Sequence, residues 1–467
     1  MSERIPVQPI EVAPRGPRSA AASGKIQTRS FSGRFRNLRL LGGAGLFLLY
    51  FGTLWLQWNG RQAVLWDLSE HKYYIFGATF WPQDFILLSA LLIICAFGLF
   101  FITVLAGRIW CGYSCPQSVF TWVFMWCERL TEGERNQRIK LDAAPWSLEK
   151  LGRRLSKHGL WLLISLATAL TFVGYFTPIR PLLGELASAE MGGASLFWVL
   201  FFTTATYLNA GYLREQVCLH MCPYARFQSV MFDADTRVVA YDPRRGENRG
   251  PRRKDADPQA LGLGDCIDCQ LCVQVCPTGI DIREGLQIDC IGCAACIDAC
   301  DSIMDKMGYA RGLVGYSSER ALAGGKARLL RPTLLGYGGA LLLMLVAFTW
   351  ALAARPLVSL DVAKDRGLFR ENEAGQIENV YNLKVINKTQ QPRQYQLVLL
   401  QAEGFSLQGQ TRVRLAAGEM RVLPVSVAQR TEQAEHAQQQ LVFTVVDLDQ
   451  PDSRDQAGST FIAPRQR

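Results

Sequence analysis

The sequence predicts a multi-domain membrane protein. About five transmembrane α-helices are combined with a cysteine-rich α+β domain and a C-terminal all-β domain of the immunoglobulin-like sandwich type. Three observations support this fold class: long apolar segments, two closely spaced runs of cysteine, and a C-terminal region in which apolar and polar residues alternate. The chain has 467 residues, which is too long for one ordinary domain.

Five segments are apolar over the ~20 residues that a helix needs to cross a bilayer. They lie at approximately 38–58, 85–106, 159–177, 194–213 and 333–354. One such segment could equally be a buried helix of a soluble protein, but five of this length favour a membrane protein. Residues 1–37 are rich in Arg, Ser, Pro and Ala, show no cleavable signal peptide, and are predicted to form a disordered basic arm.

The distribution of Lys and Arg predicts the orientation of these segments. The loop 107–158 contains nine of them and the arm is also basic, whereas the loops 59–84 and 178–193 contain two and one. Because basic loops stay in the cytoplasm, the N-terminus is predicted to be cytoplasmic and the C-terminal domain periplasmic. The predicted domains are the arm 1–37, the four-helix region 38–213, a cytoplasmic insert 214–332, the fifth helix 333–354 and the periplasmic β domain 355–467.

The C-terminal region shows the period-two pattern of β-strands. Tyr381, Leu383 and Val385 alternate with polar neighbours, and the pattern recurs at Val413 and Leu415, at Val422, Val425 and Val427, and at Leu441, Phe443 and Val445. Short strands separated by turn residues predict an immunoglobulin-like sandwich, although the cysteine pair of antibody domains is absent from 355–467. No catalytic constellation is visible there, so a structural or partner-binding module is expected.

Eight cysteines form two runs with the same spacing, Cys-x2-Cys-x2-Cys-x3-Cys. Bacterial ferredoxins with two 4Fe–4S clusters have this spacing, and the fourth cysteine of each run ligates the other cluster. Cluster one is therefore expected to use Cys266, Cys269, Cys272 and Cys300. Cluster two is expected to use Cys290, Cys293, Cys296 and Cys276. The insert is thus predicted to be a ferredoxin domain that moves single electrons, and this pattern argues against zinc or disulfides.

Four further cysteines form two Cys-x3-Cys-Pro motifs, each following an apolar segment: Cys111, Cys115, Cys218 and Cys222. Cysteines four apart share one helix face, and the proline after each pair can begin a new helix. Thiolates and thioethers select Cu(I), so these four are a candidate copper or redox site, with Met221 and His220 as further candidate ligands. Packing cysteines, or a redox-active set without metal, are the open alternatives.

Together these motifs resemble a known family over nearly the whole chain. The resemblance is carried by Arg108-Ile-Trp-Cys-Gly-Tyr-Ser-Cys-Pro-Gln117, Lys140-Leu-Asp-Ala-Ala-Pro-Trp146, Cys218-Leu-His-Met-Cys-Pro-Tyr-Ala-Arg-Phe-Gln228 and the double ferredoxin run. The family is that of the cytochrome c oxidase accessory proteins called CcoG, FixG or RdxA. The resemblance implies an iron–sulfur cupric reductase of the bacterial inner membrane. Such a protein reduces Cu(II) to Cu(I) in the cytoplasm for the assembly of cbb3-type cytochrome c oxidase.

Two other functions stay open at this point. A quinol-linked electron relay would explain the Cys-x3-Cys-Pro motifs, which are shared with NapH-type membrane ferredoxins, and a non-catalytic oxidase assembly scaffold would explain the exported domain. Expected partners are copper ions, an electron donor that the sequence does not name, copper-delivery or oxidase assembly factors, and membrane lipid. The sequence leaves the oligomeric state open, with a homodimer as one alternative.

The net charge of +9 is not evidence for nucleic acid, because the basic residues flank the apolar segments. The basic segment 243–254 is predicted to lie near anionic lipid headgroups.

Overall fold

The structure is a computed structural model that describes residues 26–258, 260–372, 374–400, 403–431 and 437–464. Its α-helices are α1 Arg34–Gly52, α2 Phe85–Ala106, α3 Ile109–Tyr113, α4 Pro116–Glu132, α5 Arg135–Ala143, α6 Leu148–Gly174, α7 Ile179–Ser188, α8 Gly193–Leu208, α9 Pro223–Met231, α10 Pro243–Gly246, α11 Leu271–Gln274, α12 Ala295–Met307, α13 Glu319–Leu322 and α14 Pro332–Ala353. Short 3-10 turns occupy Thr53–Trp55, Pro82–Asp84 and Ile282–Glu284, and π-helical turns occupy Asn209–Leu213 and Val217–Met221.

The strands are short in the first half of the chain and longer near its end. They are β1 Gln57–Trp58, β2 Arg61–Gln62, β3 Val64–Asp67, β4 Lys72–Ile75, β5 Ala78–Phe80, β6 Val238–Tyr241, β7 Val314–Ser317, β8 Val358–Lys364, β9 Arg370–Glu371, β10 Gln376–Asn387, β11 Arg393–Leu400, β12 Phe405–Gly409, β13 Arg412–Leu415, β14 Met420–Arg430, β15 Gln438–Asp447 and β16 Arg454–Ile462.

Five helical segments of the described chain are long and apolar enough to cross a membrane: Arg34–Trp55, Pro82–Ala106, Leu148–Gly174, Gly193–Leu213 and Pro332–Ala353. The predicted number of spans is confirmed. The third segment begins eleven residues before the predicted 159, at Leu148. A buried ion pair stabilises the polar first turns of this helix. The Lys157 ammonium lies 2.9 Å from a Glu132 carboxylate oxygen, and both side chains are 2% exposed.

Two compact units make up the chain. The first comprises residues up to 49, 97–169 and 197–339, and the second comprises 50–96, 170–196 and 340–467. Helices α2, α6, α8 and α14 therefore each contribute one part to the first unit and one part to the second.

The first unit contains the eight-cysteine region. Strand β6, Val238–Tyr241, pairs antiparallel with β7, and helices α11 and α12 each begin one residue before the third cysteine of a run. The loop predicted at 107–158 is largely helical here, as α3, α4, α5 and the start of α6. A buried carboxylate at Glu128 joins α4 to α5 and to the end of the π-helical turn Asn209–Leu213, because it accepts hydrogen bonds from Arg138 at 2.9 Å and from Arg214 at 2.6 Å.

The predicted disorder of residues 1–37 is wrong for 26–37. Residues 26–33 form neither helix nor strand but are hydrogen-bonded to the rest of the unit: the Arg29 amide donates to the Gln274 carbonyl at 2.9 Å, and Arg138 donates to the Thr28 carbonyl at 2.6 Å. Helix α1 then begins at Arg34, where Asp298 of α12 accepts from the backbone amides of Phe35 and Arg36 at 3.1 and 2.7 Å. These contacts come from distant residues, so the composition of the arm did not reveal them. Residues 1–25 lie outside the described chain.

The second unit contains the predicted sandwich. One sheet has the strand order β12-β14-β10-β8, with β9 paired to β10, and the other has the order β13-β11-β15-β16. The predicted inward residues form the core: Tyr381, Leu383, Val385, Val413, Leu415, Val425, Val427, Leu441, Phe443 and Val445 are all buried. Val422 is the exception, being 51% exposed, because its even number puts it on the opposite face of β14 from Leu423, Val425 and Val427.

A buried ion pair joins the sandwich to the small strands β3–β5 of the same unit. The Lys388 ammonium lies 3.0 Å from Asp84, with side chains 3% and 8% exposed. Gln390 donates to the Thr79 hydroxyl at 3.0 Å, and Arg355 donates to the Thr79 carbonyl at 2.6 Å. The loop 59–84 therefore belongs to a folded support for the C-terminal domain, which its sequence did not indicate.

Replacing Lys388 with Met is expected to destabilise the second unit by about 3 kcal/mol, because the buried Asp84 carboxylate loses its nearest cation. Chemical unfolding of the purified protein, followed by tryptophan fluorescence, measures the change. The control is Lys384→Met, which removes a half-buried lysine from β10, the strand that ends one residue before Lys388. Equal unfolding midpoints for the two variants would contradict the expected role of the ion pair.

Candidate iron–sulfur and thiol sites

The two cysteine runs have the same backbone conformation at equivalent positions. In the first run Asp268 and Gln270 both have φ +53°; in the second, Gly292 has φ +66° and Ala294 has φ +58°. Left-handed residues on either side of the second cysteine turn successive amides toward one side of the loop, which creates a concave surface suited to an anionic group. The sequence repeat is thus also a structural repeat.

The first cavity of the cysteine region is lined by Cys266, Cys269, Cys272 and Cys300. It contains about 380 Å³ of space free of protein atoms, partly open to solvent. Tyr241 and Arg283 also line it, and Arg283 is held by Asp281 and Asp268. The structure therefore places the last cysteine of the second run among the first three cysteines of the first run.

The second cavity is lined by Cys276, Cys290, Cys293 and Cys296, around about 340 Å³ of free space. Cys272 also borders this cavity, so one side chain lies at the edge of both. Cys269 of the first cavity is exposed, whereas every cysteine expected to bind the second cluster is buried or half-buried. The first cavity is thus the more accessible of the two.

These cavities fit a cluster better than a single ion. Among the described residues, no three side chains of His, Cys, Asp or Glu converge tightly enough to hold one metal ion. A four-iron cluster is larger than one ion, so thiols that surround a cavity without converging match it, and they do not match a tetrahedral zinc site. Burial raises the pKa of Cys290 and of Cys300 to about 12, so the thiolate forms need the positive charge of bound iron.

The four Cys-x3-Cys-Pro cysteines, hereafter the thiol quartet, occupy equivalent positions in two helix pairs. Cys111 lies in α3 and Cys218 in the π-helical turn Val217–Met221, and Cys115 and Cys222 immediately precede the prolines that begin α4 and α9. Burial, followed by the neighbouring Cys115, raises the pKa of Cys111 to about 11 and that of Cys218 to about 12. Cys218 also interacts electrostatically with Cys111 and Cys222, so the fold gathers the quartet together.

The four thiols of the quartet lie near one another but do not converge on a single point. Among the described residues, no three of these cysteines converge closely enough to bind one metal ion, so a bound copper ion would require rotation of their side chains. Of the two further candidate ligands, Met221 is 63% exposed and His220 is exposed. The Cys111 thiol instead donates to the Gln228 side-chain oxygen at 3.5 Å.

Helix α3 is in direct contact with the second cysteine run. A Cβ atom at Gly112 would lie 2.8 Å from the Cα atom of Cys293 and 2.8 Å from the carbonyl oxygen of Gly292. A Cβ atom at Gly292 would in turn lie 3.0 Å from the carbonyl oxygen of Arg108. Glycine at these two positions therefore lets the backbones of the thiol quartet and the second run approach each other.

Three side chains fix this contact. The Arg108 guanidinium donates to the backbone carbonyls of Ile288, Cys290 and Ala225, which joins α3 to the second run and to α9. The Tyr316 hydroxyl donates to the Gly292 carbonyl at 2.8 Å, and Arg39 of α1 donates to the Cys293 carbonyl at 2.5 Å. Sequence reasoning singled out none of these residues for a role; Arg108 and Gln228 were visible only as parts of the quoted motifs.

The basic segment 243–254 lies against the first run. The Gly250 amide donates to the Cys266 carbonyl at 3.2 Å, and Arg245 pairs with Asp265 at 2.5 Å. Arg252 lies over the Tyr309 ring, with its guanidinium carbon 5.1 Å from the ring centroid. The segment thus serves the fold of the ferredoxin domain; its expected contact with lipid stays a prediction.

Three parts of the chain match known protein families. The family described as "4Fe-4S dicluster domain" matches residues 213–319, and the family described as "4Fe-4S binding domain" matches residues 88–131. The C-terminal part, residues 348–464, matches a family described as "IG-like fold at C-terminal of FixG". The chain is therefore an iron–sulfur protein with an immunoglobulin-like C-terminal domain.

Curated relatives match most of the chain. The nitrogen fixation protein FixG of Rhizobium meliloti (strain 1021) is 34% identical over 91% of this chain and 90% of its own length. Protein RdxB of Cereibacter sphaeroides is 40% identical over 78% of this chain and 80% of its own. Protein RdxA of the same organism is 38% identical over 80% and 82%, respectively. The similarity thus extends beyond the cysteine motifs to the whole architecture.

Proposed function

Because the chain belongs to the FixG family of iron–sulfur membrane proteins, we propose that it is a cupric reductase that converts Cu(II) to Cu(I) for the assembly of cbb3-type cytochrome c oxidase. The observation that carries the proposal is the backbone contact between Gly112, which follows Cys111 of the thiol quartet, and Cys293 of the second run. It brings thiols that prefer Cu(I) next to residues suited to hold an electron-transfer cluster.

The eight cysteines would hold two clusters with crossed ligation. Cys300 would complete the first set, with Cys266, Cys269 and Cys272, and Cys276 would complete the second, with Cys290, Cys293 and Cys296. When bound, each cluster takes up and returns one electron at a time. The chain holds the two sites side by side, because Cys272 borders both cavities.

The difference in exposure gives the electron route a direction. Cys269 is exposed, so a donor would reach the first site, whereas the second site lies against α3 and the thiol quartet. One electron then reduces Cu(II) held beside the quartet, and the thiolates retain the Cu(I) that forms. The nine Lys and Arg residues of 107–158 support a cytoplasmic position for both sites, with the C-terminal domain in the periplasm.

Replacing all four quartet cysteines with Ala is expected to reduce the rate of Cu(I) formation to that of buffer without protein. Full-length protein carrying its clusters is reduced chemically, mixed with Cu(II), and monitored with a Cu(I)-specific chelator. The control is Cys95→Ala, which removes a thiol of the apolar helix α2 outside both motifs.

Iron analysis of the same variants distinguishes a copper site at the quartet from an additional cluster bound there. An iron content equal to the parent protein's, with the activity lost, supports a copper site. A loss of one cluster's iron would show that the quartet binds an additional cluster and would remove copper from this position. An unchanged rate in the quadruple variant would refute the quartet as the place of reduction.

A further inference from the structure

A third cavity of the first unit lies beside Cys218. It contains about 540 Å³ of space free of protein atoms, partly open to solvent. Cys218 lies on its wall with Ser118 and Met125 of α4, and Pro277, Thr278 and Ile291 of the cysteine runs complete the lining on the ferredoxin side. The cavity therefore lies between the thiol quartet and the second cluster site.

Three residues that line the cavity each have a buried polar atom with no hydrogen-bond partner within the described chain. These atoms are Nη1 of Arg214, Nε of Arg39 and Oγ of Ser118. The Arg214 side chain is 3% exposed, and its other nitrogens donate to Glu128 at 2.6 Å and to the Gly211 carbonyl at 2.9 Å. A buried donor without an acceptor is destabilising, and more so when it is charged, so we expect a bound acceptor next to these atoms.

The kind of acceptor follows from the charges. Arg39 and Arg214 contribute two positive charges to the wall and Glu215 contributes one negative charge, so the lining carries a net charge of +1 (2 − 1). The unpartnered nitrogens of Arg39 and Arg214 can only donate, and the Ser118 hydroxyl can also donate, so a ligand that accepts hydrogen bonds is favoured. Each arginine has one unpartnered nitrogen, and the two oxygens of a carboxylate can each accept from a different donor. The cavity thus favours a small carboxylate.

We propose that this cavity binds the carboxylate ligand with which Cu(II) arrives, an inference that rests on the cupric reductase function. Cu(II) takes oxygen and nitrogen ligands, whereas Cu(I) prefers thiolates. The reductant is the reduced iron–sulfur protein, which would supply one electron to each bound Cu(II) carboxylate. The copper–oxygen bonds would break and copper–sulfur bonds would form at Cys218 and the neighbouring thiols, each of which releases one proton to water, and the free carboxylate would leave. Arg214, Arg39 and Ser118 act on the ligand and do not touch the copper.

Binding of malonate to the oxidised, full-length protein without copper tests the site directly. Isothermal titration calorimetry is expected to show binding to the parent protein and about tenfold weaker binding to Ser118→Ala and to Arg214→Lys, because each loses one hydrogen bond to a charged acceptor. Lysine at 214 keeps the positive charge next to Glu128, which protects the fold. The matched control is Ser229→Ala, whose hydroxyl donates to the Arg226 carbonyl outside the cavity.

Steady-state reduction of two copper complexes separates this inference from the function on which it rests. The KM for the anionic Cu(II) malonate complex, relative to that for the cationic Cu(II) ethylenediamine complex, is expected to rise about tenfold in Ser118→Ala. Copper reduction with no malonate binding and an unchanged KM ratio would overturn the carboxylate site and leave the reductase. Malonate binding without any copper reduction would support the carboxylate site and overturn copper as its cargo.

Discussion

Replacing Cys300 with Ser is expected to remove the first 4Fe–4S cluster and to leave the second in place. Cys300 lines the same cavity as Cys266, Cys269 and Cys272, although it lies 28 residues beyond Cys272 in the chain. Cys276→Ser is expected to have the mirror effect on the second cluster. Iron content and low-temperature electron paramagnetic resonance of the reduced protein count the clusters that remain.

Double variants identify which cysteines share a cluster. With crossed ligation, Cys266→Ser adds nothing to the iron lost in Cys300→Ser, because both remove ligands of one cluster, whereas Cys266→Ser combined with Cys276→Ser removes both clusters. Ligation within each run would give the opposite pattern. Cys127→Ala is the control, since this cysteine is buried against Phe124 and Trp161 and borders neither cavity.

Replacing Gly112 with Val is expected to slow copper reduction on the order of 100-fold, since a displacement of about 1 Å between reacting groups can have that effect. The new side chain would meet backbone atoms of Gly292 and Cys293, which cannot rotate away, so α3 and the second run must separate. The rate is measured with the Cu(I)-specific chelator, and iron content is measured in parallel.

The control for this variant is Gly152→Val in α6, where a Cβ atom would have no neighbour within 4 Å. Both variants place a valine in a helix, so the intrinsic cost to the helix is matched. Retained iron with a lost rate supports the contact as the path to the quartet. Full activity in Gly112→Val would show that electrons reach copper by another path.

The parts of this protein that follow from local spacing were predictable. Identical spacing in the two cysteine runs reflects identical backbone turns, with left-handed residues at 268 and 270 and again at 292 and 294. The apolar length of the spans and the alternation around Tyr381 are likewise local patterns. An error of one residue is enough to predict the wrong face for a side chain, because neighbouring residues of a strand face opposite sides. Val422, which was expected in the core and is exposed, is the example.

The contact between the thiol quartet and the second run was not predictable from the sequence. It joins residues about 180 apart in the chain, and Gly112 looks like any small residue between two cysteines. The predicted disorder of the arm was wrong for the same reason, because Arg29 and Thr28 are hydrogen-bonded to the distant residues Gln274 and Arg138. The sequence shows which groups a segment carries and does not show which distant backbone will lie against it.

The contact between Asp298 and the start of α1 has a consequence for how the protein matures. Asp298 lies between Cys296 and Cys300, which belong to different cluster sites, and its carboxylate accepts from Phe35 and Arg36 at the first turn of a membrane helix. A carboxylate at this end stabilises a helix by about 1 kcal/mol. Cys296 and Cys300 lie in α12 on either side of Asp298. We expect clusters bound at these two sites to stabilise α12 and, through Asp298, the start of the first membrane helix as well, so that cluster insertion and the anchoring of the N-terminal region are coupled.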